Sequence, residues 1–104
     1  MRHRCMNTTK WEELRLAMAS VKPSPGWKVV LLNGFESSID HEWFYHFAIS
    51  GYKDTHYVDI FPSSPEQHLD IGRILKEIHL PGIETTYGYR VYGYMEPYEV
   101  IDYL

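Results

Sequence analysis

The chain has 104 residues and a formal charge of -4, with 44% hydrophobic and 23% charged residues. That balance excludes wholesale disorder and fits one domain with a core of its own. Lys and Arg are scattered apart from Arg2-His3-Arg4, so no basic patch suited to phosphates is visible and nucleic acid is not an expected partner.

A single cysteine, Cys5, excludes an internal disulfide framework. No run of 18 apolar residues marks a membrane span, and the start carries no apolar signal-peptide region, so the expected location is the cytoplasm. The sequon at Asn7-Thr8-Thr9 then serves the backbone rather than a glycan.

In "NTTKWEELRLAMASV", Thr9 is the expected helix cap and Glu12 the return half of a capping box. Trp11, Leu14, Ala17, Met18 and Val21 form one apolar face. Because the cap starts just after Met6, residues 1–6 read as a disordered or start-site extension to a single domain spanning 1–104. "KPSPG" stops the helix.

Three strands are expected next: "WKVVLL" (27–32), then "EWFYHFAI" (42–49) as the strongest, then "THYVDIF" (55–61). Their short connections imply an antiparallel meander. The second helix has Ser64 as N-cap, Pro65 at its first position and Gln67 completing the box. Ile71, Ile74, Leu75 and Ile78 give its stripe, with Leu69 off it and Pro81-Gly82 ending it. "TYGYRVYGYM" (86–95) and "EVIDYL" (99–104) are expected to make a hairpin around "EPY". The fold class is α+β in the order α-β-β-β-α-β-β. It amounts to a two-layer sandwich, with two helices on one face of a mostly antiparallel five-stranded sheet.

"HEWFYH" (41–46) carries the residue types of a zinc-protease signature. Its histidines are five apart, so on a helix they diverge by about 140°. On a strand they face opposite ways. Neither arrangement chelates, so no metal or other cofactor is expected. Ser37, Ser38, Asp40 and His41 hold triad residue types without triad geometry, and no G-x-S-x-G elbow or phosphate loop is present.

Alternation leaves a sheet face as the candidate site. Helices over Trp43, Tyr45, Phe47, Val58, Ile60, Tyr89 and Val91 send Phe44, His46, Arg90, Tyr92 and Tyr94 to the other side, joined by Tyr57, Asp59 and Phe61. Tyr, Phe and Arg are types enriched at interface hot spots. Phe44, His46, Arg90, Tyr92 and Tyr94 are therefore the candidate partner-binding residues. The partner is another protein or a second copy of the chain, not a membrane.

The succession "TTKWEELRLAM", "EWFYHF" and "YRVYGYMEPYEVIDYL" resembles a family of small uncharacterised bacterial proteins, a domain of unknown function, over most of residues 7–104. The resemblance implies a bacterial, cytoplasmic origin and transfers no catalytic residue. In size and acidity the chain is also similar to toxin-neutralising immunity proteins. The expectation is a non-enzymatic protein-binding module. The alternative is a small-molecule binder or small enzyme whose site is assembled from dispersed His, Tyr, Asp and Glu side chains.

Overall fold

Asn7, not Thr9, begins the first helix. Its side chain accepts the Lys10 amide at 2.8 Å, and α1 runs Thr8–Ser20. Asn caps at least as well as Thr, and the earlier cap adds two residues to the helix. Glu12 is thereby released from any capping role. The buried face carries Trp11, Leu14 and Met18. The structure, a computed structural model, describes residues 3–49, 51–96 and 104.

Residues 3–6, expected as part of a loose extension, are built into the fold. His3–Arg4 form β1, the Cys5 amide donates to Gly93 O at 2.8 Å, and Met6 is buried. The remaining strands are β2 (Gly26–Leu31), β3 (Thr55–Phe61), β4 (Gly82–Glu84), β5 (Tyr89–Tyr92) and β6 (Tyr94–Met95). Between β3 and β4 lies α2 (Pro65–Ile78), which follows the expected pattern closely. Ser64 Oγ accepts the Gln67 amide at 3.0 Å, and Gln67 Oε1 accepts the Ser63 amide at 2.8 Å. His79 then turns left-handed at φ 65° and closes the helix on Leu75 and Lys76 carbonyls.

The expected single five-stranded sheet is instead two antiparallel sheets: four strands in the order β2-β3-β5-β4, and the pair β1-β6. Two departures cause this. First, the run 42–49 is no strand; β2 pairs directly with β3, and residues 32–54 form an excursion that runs back along β2 through the bridges Val30↔Glu36 and Trp27↔Asp40. Second, the chain breaks register at Gly93, where an added Cβ would lie 2.2 Å from Thr55 O. Only glycine allows that approach, and past it β6 turns to pair with β1. The expected strand at 99–104 and its "EPY" turn fall almost wholly on residues 97–103, outside the described residues.

The excursion has its own logic. The Glu42 carboxylate accepts three successive amides, from Phe44, Tyr45 and His46, each at 2.8 Å. That is the work of a helix N-cap, and it satisfies the donors that a strand partner would otherwise take. Amides then bond carbonyls three residues back: Ala48 to Tyr45, Ile49 to His46, Gly51 to Ala48. Such turns do not send alternate residues to opposite faces as a strand does. Trp43 and Phe47 are buried and Tyr45 is 72% exposed, so the expected placing of all three on one covered face fails at Tyr45.

Both helices lie over one face of the main sheet, as expected. Trp11, Leu14 and Met18 of α1, with Ile71 and Leu75 of α2, share one core with Trp27, Val58, Ile60, Tyr89 and Val91. Trp43 and Phe47 close this core from the excursion, with ring centres 4.6 Å apart. Packing α2 on β5 depends on Gly72: a Cβ there would meet Tyr89 Oη at 2.2 Å, and that hydroxyl donates to His68 O at 2.9 Å.

Candidate functional site

The sheet face away from the helices is organised around a buried ion pair. Registers Lys28↔Asp59 and Asp59↔Arg90 set three charged residues side by side on adjacent strands. The Asp59 carboxylate, 3% exposed, receives Arg90 Nε at 2.8 Å and Nη2 at 3.2 Å. This two-pronged geometry is one that guanidinium provides and ammonium does not. The Arg90 plane also lies 4.0 Å from the Tyr57 ring centre, and Nη2 reaches the Tyr87 hydroxyl at 3.2 Å. Tyr92 is buried beside Tyr57, and the Tyr94 hydroxyl donates to Lys53 O at 2.8 Å. On this face the tyrosines and Arg90 are engaged with the protein itself.

Exposed apolar surface concentrates elsewhere. Phe35, Ile39, Phe44, Tyr45 and Ile49 all lie on the excursion, and all are well exposed, Ile49 to 81%. The excursion is fastened to α1 by a polar chain. Tyr52 donates its hydroxyl to Glu12, Arg15 pairs with Glu12 at 2.8 Å, and Arg15 also donates to Phe44 O. The Arg15 guanidinium sits 4.9 Å from the Phe44 ring centre. Hydrogen bonds from Arg15 and then Tyr52 hold the Glu12 carboxyl below its usual range. Burial, then Glu12, pushes the Tyr52 hydroxyl well above the usual phenol range, so it remains a donor.

Beneath this surface is a cavity of about 210 Å3. Its floor is Trp27, Val29, Phe47 and Val58; Phe35 and Ile49 stand at its rim; Ser37, His46 and Tyr52 add polar groups to the wall. His46 Nδ1 lies 2.9 Å from Asp40 Oδ2. Burial raises the Asp40 carboxyl, but the Glu42 amide and the His46 ring outweigh it, and the net position is below the usual range. Asp40 is therefore the acceptor and Nδ1 the donor.

A match to one protein family is carried by residues 3–98, nearly the whole described chain. The protein belongs to DUF6678, a family of unknown function. No curated protein and no solved structure matches the chain. Membership agrees with the resemblance to a domain of unknown function seen in the sequence, and it assigns no residue a role.

The five candidate residues of this family member do not form one surface. His46 borders the cavity beside Val58, on the helix side of the sheet, and Phe44 lies near it on the excursion. Arg90 and Tyr92 point to the opposite side, with Asp59 and Tyr57. Ser37 is committed to backbone: its hydroxyl accepts the Val29 amide at 3.0 Å and donates to Ser38 O at 2.9 Å. His41 contacts Ser24 O at 3.3 Å, away from the Asp40–His46 pair. Among the described residues, no three His, Cys, Asp or Glu side chains are placed to hold a metal, and no helix is long and apolar enough to cross a membrane.

Sequence reasoning missed the cavity and the Glu12–Tyr52 fastening. One signal was available: an acid directly before an aromatic run, with Trp43 and Phe47 four apart, is the signature of a capped turn of helix.

Proposed function

We propose that this protein is a non-enzymatic protein-binding module whose contact surface is the excursion 35–49 rather than the open sheet face. One observation carries the reading: Phe35, Ile39, Phe44, Tyr45 and Ile49 are exposed within 15 residues of chain. Exposed apolar side chains gathered on one short segment mark an interface more often than scattered ones do. Tyr45 and Phe44, with rings 4.9 Å apart edge to face, supply rigid aromatic contact at little entropic cost. Of the residues singled out from sequence, Phe44 and His46 belong to this surface. A net charge of -4 favours a basic partner surface and a salt-dependent encounter.

The test is a photo-crosslinking residue placed at Tyr45, with Leu69 on α2 as an equally exposed control, in cells that naturally make the protein. A specific adduct from position 45, lost in Phe44→Ser/Ile49→Ser and absent from position 69, supports the reading. No adduct from position 45, in a chain that also runs as a monomer by size exclusion with mass detection, overturns it. A second reading, small-molecule binding, is favoured by the cavity beneath the same surface.

A further inference from the structure

The geometry points to the cavity as a site for a small neutral aromatic molecule carrying one hydrogen-bond donor, of the phenol class. The inference rests on the small-molecule reading and names the ligand for it.

Size is the first argument. An apolar cavity of about 150 Å3 in a well-studied engineered protein takes benzene. The cavity here is about 210 Å3, with room for a six-membered ring and one or two substituents. Wall chemistry is the second. Trp27, Phe47, Phe35 and Tyr52 present rings on several sides, which favours edge and offset contacts with another ring. Trp27 and Phe47 already meet edge to face at 5.1 Å, a rigid floor rather than one that collapses into the space.

Polar groups on the wall narrow the class further. Ser37 and Tyr52 have spent their hydroxyl protons on Ser38 O and Glu12. Their oxygens also already accept, from the Val29 amide and from Arg15, and His46 differs from both. Its Nδ1 faces Asp40, which leaves Nε2 as the ring atom turned to a ligand, an acceptor in the tautomer that carries its proton on Nδ1. An acceptor at the edge of an apolar chamber selects a ligand with a hydroxyl or N–H, and it does not compensate the desolvation of an anion. Access is provided at the rim, where Phe35 and Ile49 are both largely exposed.

Full-length protein would be titrated with p-cresol, toluene and benzoate at neutral pH, following amide shifts by NMR. The expected result is saturable shifts at Val29, Phe47 and Val58 with p-cresol. Toluene should bind about fivefold more weakly, the ratio that one ordinary hydrogen bond supplies, and benzoate more weakly again. His46→Leu should erase the preference for p-cresol while toluene still binds. Val29→Phe, checked for a folded spectrum, should abolish binding of both by filling the chamber. Toluene bound as tightly as p-cresol, or a preference unchanged in His46→Leu, overturns the donor-bearing class and leaves cavity binding standing. No saturable shift with any probe, or shifts unaltered in Val29→Phe, overturns both.

Discussion

Replacing Trp43, Tyr45 and Phe47 one at a time by Ala separates a capped turn from a strand. On a strand these alternate residues share a face, so all three would cost alike. In the turn, Trp43 and Phe47 enter the core and Tyr45 stands in solvent. Truncating a buried Trp or Phe costs about 3–5 kcal/mol. Trp43 adds the loss of its indole bond to Pro25 O, 2.9 Å and buried, worth about 1 kcal/mol. Trp43→Ala should therefore approach 5 kcal/mol and Phe47→Ala about 3, whereas Tyr45→Ala should stay within about 0.5 kcal/mol. Domains of this size have only about 5–15 kcal/mol in total, so Trp43→Phe, costing about 1–2 kcal/mol, serves where Trp43→Ala does not fold. Urea unfolding followed by far-ultraviolet circular dichroism avoids the loss of a tryptophan signal. Tyr45→Ala costing as much as Phe47→Ala would refute the turn and restore the strand.

Arg90→Ala should destabilise by about 2–3 kcal/mol, because it strands the buried Asp59 carboxylate. The value sits below the usual range for such pairs because Arg90 is partly exposed and Lys28 lies opposite Asp59. Asp59→Asn added to Arg90→Ala should recover part of the loss in urea midpoints, and a single-variant effect below about 0.5 kcal/mol would contradict the pairing. Gly72→Ala pits a helix-propensity gain of about 1 kcal/mol against overpacking on Tyr89 Oη of about 1–3 kcal/mol. The net should be a lower melting temperature, and a rise would show that Tyr89 yields freely. Glu12, Asp40 and Glu42 all have folded-state pKa values held below the ordinary carboxyl range. Their contribution is therefore present above pH 5 and is lost as pH falls through the lowered values. Denaturation midpoints should drop between pH 5 and pH 3, less steeply in Asp40→Asn/Glu42→Gln; an equal drop would place the acid sensitivity elsewhere.

Where local chemistry decides structure, the sequence was readable. Ser64, Pro65 and Gln67 set the start of α2 through contacts within a few residues, and 55–61 alternates as a strand against partners on both sides. Failure came where a local signal competed with a stronger one. Trp, Phe and Tyr in succession carry high strand propensity, but that scale reflects packing on a pleated neighbour. At 42–49 no neighbour is available, because β3 takes one edge of β2, Glu36 and Asp40 bridge to the other, and Glu42 satisfies the amides first. Losing that strand moved Phe44 and His46 off the sheet, so the candidate surface came apart with it. The cavity was beyond any pattern, since Val29, His46 and Val58 meet through tertiary packing alone.

One consequence of the turn is that core anchoring and surface exposure are divided residue by residue along a single short segment. Trp43 and Phe47 anchor it in the core, and Glu12, Arg15 and Tyr52 tether its two ends to α1. Phe44, Tyr45 and Ile49 are then held outward on a fixed base rather than on a loose loop. A strand would have forced neighbours on one face to share a fate, all buried or all presented. The turn places residues one and two apart in opposite environments, so Tyr45 and Ile49 can be changed with little cost to the fold. Surface variants at those positions therefore test the proposed contact without disturbing the fold.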